Sequence, residues 1–301
     1  MDKKKIIQET ENNRIEKKDT TKILTIIGLL LTLVALGFSI DQYKKAKELT
    51  DSISTRYIGE FPKHLSDINK MIDKAEKEII IFQDVIGYGI FSQPKEFHKF
   101  MTTLVQKNAI PITIKVCIYT SKLYEETREY QFIGFEDAYN YKKLKNSDSS
   151  AASEMREKLF IKKKNENKFK KSRYENFVNF FSKNAGNLNY DKDSVIYKIV
   201  TGLPSYENIT YDVFNDALSK IQNYLFLYCK EYLKFSIEPV DRMHVMNCWM
   251  IDGKKAIFGF PINYNADEIT FTTNDAHITK YVSDMWNNAI IAKGKQISDE
   301  Y

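Results

Sequence analysis

The hydrophobic pattern divides the chain into an uncharged run, a charged connector and a long region in which strand and helix periods alternate. Ile23 to Ile40 (ILTIIGLLLTLVALGFSI) is 18 residues without a charge, bracketed by Lys22 and Asp41. At about 1.5 Å per residue a helix of that length spans roughly 27 Å, enough to cross a bilayer core. No polar face interrupts the run, which argues against a buried core helix. A cleaved signal peptide has a short basic start and a small-residue cleavage site. Here 22 residues precede the run, and Phe38-Ser39-Ile40 followed by Asp41-Gln42-Tyr43 is a poor cleavage site. The expectation is a polar segment over 1–22, a transmembrane helix over 23–40 and a juxtamembrane helical stalk over 41–60. In the stalk Tyr43, Ala46, Leu49 and Ile53 make a thin apolar stripe among charges.

The pattern then changes to that of a folded domain, over 61–301. Pro62 opens a helix whose apolar residues Leu65, Ile68, Met71, Ile72 and Ala75 recur at three and four, and Glu78-Ile79-Ile80-Ile81-Phe82 follows as a run of strand length. A loop with Gly87 and Gly89 leads into a helix from about Pro94 to Lys107, and Ile112 to Tyr119 alternates as a strand does. From about 121 to 234 the pattern is mostly helical, which reads as an insertion. The strand pattern returns in Phe235 to Val240, His244 to Ile251 and Lys255 to Phe260, with Asp252-Gly253 as the tight turn between the last two. In a closing helix Ile278, Tyr281, Val282, Met285, Trp286 and Ala289 make one apolar face. Strands alternating with helices predict an α/β fold, a mixed sheet with helices on both faces.

Composition narrows this picture little. The 301 residues carry 45 Lys+Arg against 40 Asp+Glu, with 11 Gly and 6 Pro, so a disordered chain, a collagen-like repeat and a polytopic membrane bundle are excluded. Cys117, Cys229 and Cys248 are an odd number without ligand spacing, so neither a disulfide framework nor a metal site is indicated, and no cofactor motif is present. Seven Lys/Arg precede the apolar run and four lie in the 16 residues after it, which leans toward a cytoplasmic N-terminus. Three cysteines lean toward a reducing compartment for the domain. The protein is expected at the membrane, single-pass, with the side of its soluble domain open.

The block HVMNCWMIDGKKAIFGFPIN, His244 to Asn263, resembles the phospholipase D superfamily signature: His-x-Lys, four residues, Asp, six residues, then Gly-Ser-x-x-Asn. Asp252, Gly259 and Asn263 keep the family spacing. Counting back from Asp252, the histidine and lysine positions hold Val245 and Asn247, His244 lies one residue too far, and Phe260 stands for the serine. The resemblance implies a histidine attacking phosphorus while lysine and asparagine neutralise the phosphoryl oxygens. A one-residue shift on a strand sends a side chain to the opposite face unless a bulge, here at Met243 to Met246, restores it. No second His-x-Lys occurs, so a working site would need a homodimer.

Other features each have a plainer reading beside them. Lys158 to Arg173 (KLFIKKKNENKFKKSR) holds eight positive charges and one negative, so the rest of the chain sums to about −2. Lys162, Lys163, Lys164, Lys168, Lys170, Lys171 and Arg173, interleaved with Phe160, Phe169, Tyr174, Phe177, Phe180 and Phe181, fit anionic lipid headgroups or, second, nucleic acid. The plainer reading is a solvated helix face whose aromatics serve the core. Gly87-x-Gly89-x-x-Ser92 lacks the third glycine of a phosphate loop and reads as a βα turn. Glu125 and Glu126 read as charged surface, and His64, His98 and His277 have no metal spacing.

The function expected is a single-pass, phospholipase D-like binding, sensing or assembly module that is catalytically degenerate, with the bilayer as its partner. The alternative is a phosphodiesterase, a phospholipase or nuclease, using a phosphohistidine at His244 with Asp252 and Asn263 in support.

Overall fold

A computed structural model describes residues 38–45, 55–60, 63–133, 135–241, 246–262 and 267–298. The chain divides into two compact units, Met1–Ser54 and Thr55–Tyr301. In the first, residues 38–45 are helical and Phe38 and Ile40 are exposed, while 46–54, with Ala46, Leu49 and Ile53 of the expected stalk, lie outside the described residues. No helix among the described residues is long and apolar enough to cross a membrane. Most of the run Ile23 to Ile40, through Gly37, lies outside those residues.

The second unit is built on seven strands: β1 (Arg56–Glu60), β2 (Glu78–Phe82), β3 (Thr113–Tyr119), β4 (Ser236–Val240), β5 (Asn247–Ile251), β6 (Lys255–Ile262) and β7 (Asp267–Thr273). Their order in the sheet is β1-β7-β6-β5-β2-β3-β4. Strands β2, β3 and β4 are parallel, and every other pair is antiparallel. The crossover from β2 to β3 is helix α2 (Pro94–Asn108), preceded before β2 by α1 (Leu65–Ile72). The crossover from β3 to β4 is the helical region α3 (Ser121–Ile133), α4 (Phe135–Ser147), α5 (Ser149–Asn165), α6 (Lys171–Lys183), α7 (Val195–Thr201) and α8 (Tyr211–Leu227). Helix α9 (Ala276–Ser298) closes the chain.

The period of two in the central strands explains the layers. Ile79, Ile81, Val116, Ile118, Trp249 and Ile257 enter one core with residues of α1, α2, α6 and α8. Their neighbours Ile80, Phe82, Cys117, Cys248, Met250 and Phe258 enter a second core, where Val282 and Trp286 of α9 cover the other face. A strand buried on both faces reads as an unbroken apolar run, as β2 does. The three cysteines are buried core residues, and burial pushes the Cys117 thiol up to about 12. Pro239, which cannot donate to a ladder, sits in β4 at the sheet's edge.

Arg56–Glu60, assigned above to the helical stalk, is strand β1, which pairs with β7 through a bulge between Tyr57 and Gly59. The thin stripe weakly favours a helix, whereas β7 offers a row of backbone donors and acceptors that an added strand satisfies.

Candidate functional site at the C-terminal edge of the parallel strands

Strands β2, β3 and β4 end at one edge of the sheet, and in open α/β sheets ligands bind outside those carboxyl ends. The loop after β2 begins with Gln83-Asp84 and turns through successive bonds from Tyr88 N–H to Val85 O and Ile90 N–H to Gly87 O. Its glycines are there for close approach. A Cβ at Gly89, where φ is +83°, would lie 2.6 Å from Leu65 Cδ1, and one at Gly87 would meet Gln222 at 3.3 Å. The loop is thus pressed between α1 and α8, as a βα turn, and it places Asp84 on one side and Tyr88 on the other.

On the Asp84 side lies a cavity of about 90 Å³ between the sheet edge and helices α3 and α8, bordered by Asp84, Tyr119, Thr120, Tyr124, Gln222 and Phe226. Gln222 Nε2 donates to Tyr124 Oη at 2.8 Å. The Arg128 guanidinium lies 4.9 Å from the Tyr124 ring centre and donates to Ser219 Oγ at 3.0 Å. Thr120 Oγ1 donates to Asp241 at 2.7 Å and so turns toward the end of β4. Among the described residues Asp84 forms no ion pair, and burial pushes its carboxyl up to about 6. Burial also raises Tyr124, against the opposing pull of Arg128 and Gln222, and the Asp84 charge adds to the rise.

The signature hairpin divides between the two edges. Asp252 and Gly253 have φ of +53° and +63°, the left-handed pair at the centre of the turn that Lys254 N–H closes on Ile251 O at 3.0 Å. The Asp252 carboxylate accepts from the backbone N–H groups of Lys77 at 2.8 Å, Glu78 at 2.9 Å and Glu76 at 3.1 Å. Burial raises its pKa, but these three bonds outweigh burial and hold the carboxyl below the usual range. Asp252 therefore ties the hairpin turn to the start of β2. It lies at the opposite edge from Asn247, just beyond the far end of β5, five residues or about 16 Å along the chain direction. His244 and Asn263 lie outside the described residues.

At the C-terminal edge the lysine position of the signature holds Asn247, 8% exposed and paired in register with Gly259. Beside it are Thr270 and His64, both fully buried. His64 Nδ1 is 2.9 Å from Thr270 Oγ1, and His64 Nε2 is 3.3 Å from Tyr88 Oη. The Trp249 ring packs 5.0 Å from Tyr88. Among the described residues this half of the edge is a buried, hydrogen-bonded cluster. The reading that gave His64 no role missed its place here; a lone histidine before a helix carries no sequence signal, and its burial depends on partners 24 and 206 residues away.

The basic run is reorganised by packing. Phe160, Tyr174, Phe177 and Phe181 are buried, and Phe169 stacks on Phe91 and Tyr206. These aromatics serve the core and are not free to meet bases or lipid. Lys164 Nζ donates to Glu207 O at 3.2 Å and lies 4.9 Å from the Tyr206 ring centre, while Lys171 pairs with Glu207 and Glu175. Lys162 and Lys168 reach Glu166. Burial, helped by the Lys168 charge, lowers Lys163 to about 8. Lys170 and Arg173 form no ion pair among the described residues. Nearby, Glu129 is clamped by Tyr141, Lys145 and Arg156, a network joining α3, α4 and α5.

No group of three or more His, Cys, Asp or Glu among the described residues could hold a metal ion. No family model matches the chain, and no curated protein matches it. Solved structures similar in outline include two. One is TrmBL2, an archaeal chromatin protein whose structure shows a mode of DNA binding, with TM-score 0.33, 10% identity and 84% of this chain covered. The chain spans 63% of the length of TrmBL2. The other is Nuc, a phospholipase D family member from Salmonella typhimurium, with TM-score 0.34, 10% identity, and 78% of this chain and 93% of that one covered. With TM-scores under 0.5, neither likeness decides the reading, which rests on the chain's own residues.

Proposed function

We propose that the protein is a phospholipase D-like domain, held at the bilayer by Ile23 to Ile40, that binds or senses a ligand at the C-terminal edge and does not cleave phosphodiesters. The observation that carries this reading is Asn247: it stands where the resemblance puts the phosphate-neutralising lysine, so that position, buried and in register with Gly259, holds no cation. Removing one preorganised donor at a developing charge costs about 2.7–4 kcal/mol of barrier, roughly a hundred-fold to a thousand-fold in rate. Asp252, engaged by three amides at the far edge, offers no replacement. The scaffold half of the resemblance is supported by the hairpin's place in mid-sheet with helices on both faces. Anchoring is supported by the uncharged run, whose last residues Phe38 and Ile40 are exposed. Binding through a single cavity per chain does not require the homodimer that a two-histidine reaction would.

The test is turnover by the full chain in detergent micelles on an aryl phosphodiester, phosphatidylcholine and DNA, beside His244→Ala. No turnover above the His244→Ala background is expected. Turnover that His244→Ala abolishes would overturn the reading and establish the phosphodiesterase.

A further inference from the structure

We infer that the cavity between the sheet edge and helices α3 and α8 binds a small organic ammonium ion, a primary amine carrying a short apolar tail. The inference rests on the C-terminal edge being the ligand edge, and it adds the sign of the charge that this edge accepts.

Two carboxylates border the cavity, Asp84 inside and Glu125 exposed at its mouth, and no lysine, arginine or histidine lines it. Arg128, which neighbours two of the lining residues, is turned to the Tyr124 ring and Ser219. Asp84 is half-buried, an ionised carboxylate partly withdrawn from water is costly unless a cation meets it, and among the described residues Asp84 forms no ion pair. Gln222, with its Nε2 given to Tyr124, keeps its carbonyl oxygen as an acceptor. Acceptors beside a carboxylate suit the three donors of a primary ammonium group. Tyr119, Tyr124 and Phe226 line the same space and favour both an apolar tail and a cation near their rings. A volume of about 90 Å³ has room for several heavy atoms. A phosphate would meet two negative charges here and no lining cation. The polarity is thus opposite to that of a phosphodiester site.

The experiment titrates the full chain in detergent micelles with n-butylammonium, n-butanol or inorganic phosphate at matched ionic strength, followed by calorimetry and saturation-transfer NMR. Saturable binding of n-butylammonium over n-butanol is expected. Asp84→Asn should weaken it at least tenfold, and Glu125→Gln about threefold. Between pH 5 and pH 7 affinity should rise about tenfold as Asp84 ionises around pH 6. Ser219→Tyr, which fills the cavity, should block binding.

Equal binding of the alcohol and the amine, or preference for phosphate, blocked by Ser219→Tyr, would overturn the ammonium assignment while leaving the cavity as a binding site. Absence of all binding to the wild type would also overturn the assignment. Amine binding untouched by Ser219→Tyr and by both carboxyl substitutions would remove the cavity itself. None of these outcomes bears on catalysis, which is decided by turnover that depends on His244.

Discussion

Two aspartates at opposite edges of one sheet show how the same side chain serves structure in one place and leaves a charge unmet in another. Asp252, at the β5–β6 turn, accepts three backbone N–H groups and ionises more readily than a free carboxylate. Asp84, just after β2, forms no ion pair among the described residues, and burial pushes it up to about 6. The first arrangement stabilises the fold. The second destabilises it above the ordinary carboxylate range and is retained where ligands enter such sheets. The resemblance to a catalytic signature points at the first aspartate, whereas the geometry of an open, charged cavity points at the second.

Breaking the first arrangement has the larger expected effect. Asp252→Ala leaves three amides without their acceptor and should cost about 3 kcal/mol, measured as a shift in denaturant midpoint. Asp252→Asn keeps the turn and part of the bonding, and should cost about 1 kcal/mol. Because the folded pKa of Asp252 lies below the unfolded value, its contribution is complete above that value. It is lost as pH falls through the folded pKa. A loss in Asp252→Ala that stays constant down to strong acid would contradict the ionic part of this role.

Asp84 carries the opposite sign. Its unfolded carboxyl ionises near 3.8 and its folded one near 6, so wild-type stability should fall as pH rises between those values. Asp84→Asn should therefore stabilise the protein by about 2 kcal/mol at pH 7, and by almost nothing at pH 4. An equal effect of Asp84→Asn at both pH values would show that the carboxyl is solvated and the two aspartates alike.

The parts of the fold that follow from local period and turn chemistry are readable from the residues. Strands β2 and β3 show as an apolar run and an alternation, and Asp252-Gly253 announces its own hairpin. Helix α2 starts at Pro94, as expected. What depends on distant partners is hidden. Strand β1 is specified by β7, more than two hundred residues on, and not by its own composition. The aromatics of the basic run did carry a signal: Tyr174, Phe177 and Phe181 recur at the spacing of a helix face turned inward, and they are buried. The bonds that hold Asp252 are hidden in the sequence for a physical reason, since its partners Glu76, Lys77 and Glu78 come beside the turn only because β2 and β5 are neighbours. Asp84 is silent in sequence because nothing local says that α3 and α8 will close over it. Glu125, read as surface charge, is exposed and still borders the cavity.

The most direct measurement is a site-resolved titration of the two carboxyl carbons by NMR on the full chain, assigned through Asp84→Asn and Asp252→Asn. Asp84 should titrate near pH 6, and move lower when n-butylammonium saturates the protein, while Asp252 titrates below the ordinary value of 3.8 and ignores the amine. Coincident titrations near pH 4, or an amine-induced shift at Asp252 and not at Asp84, would contradict the division of the sheet into a structural edge and a ligand edge.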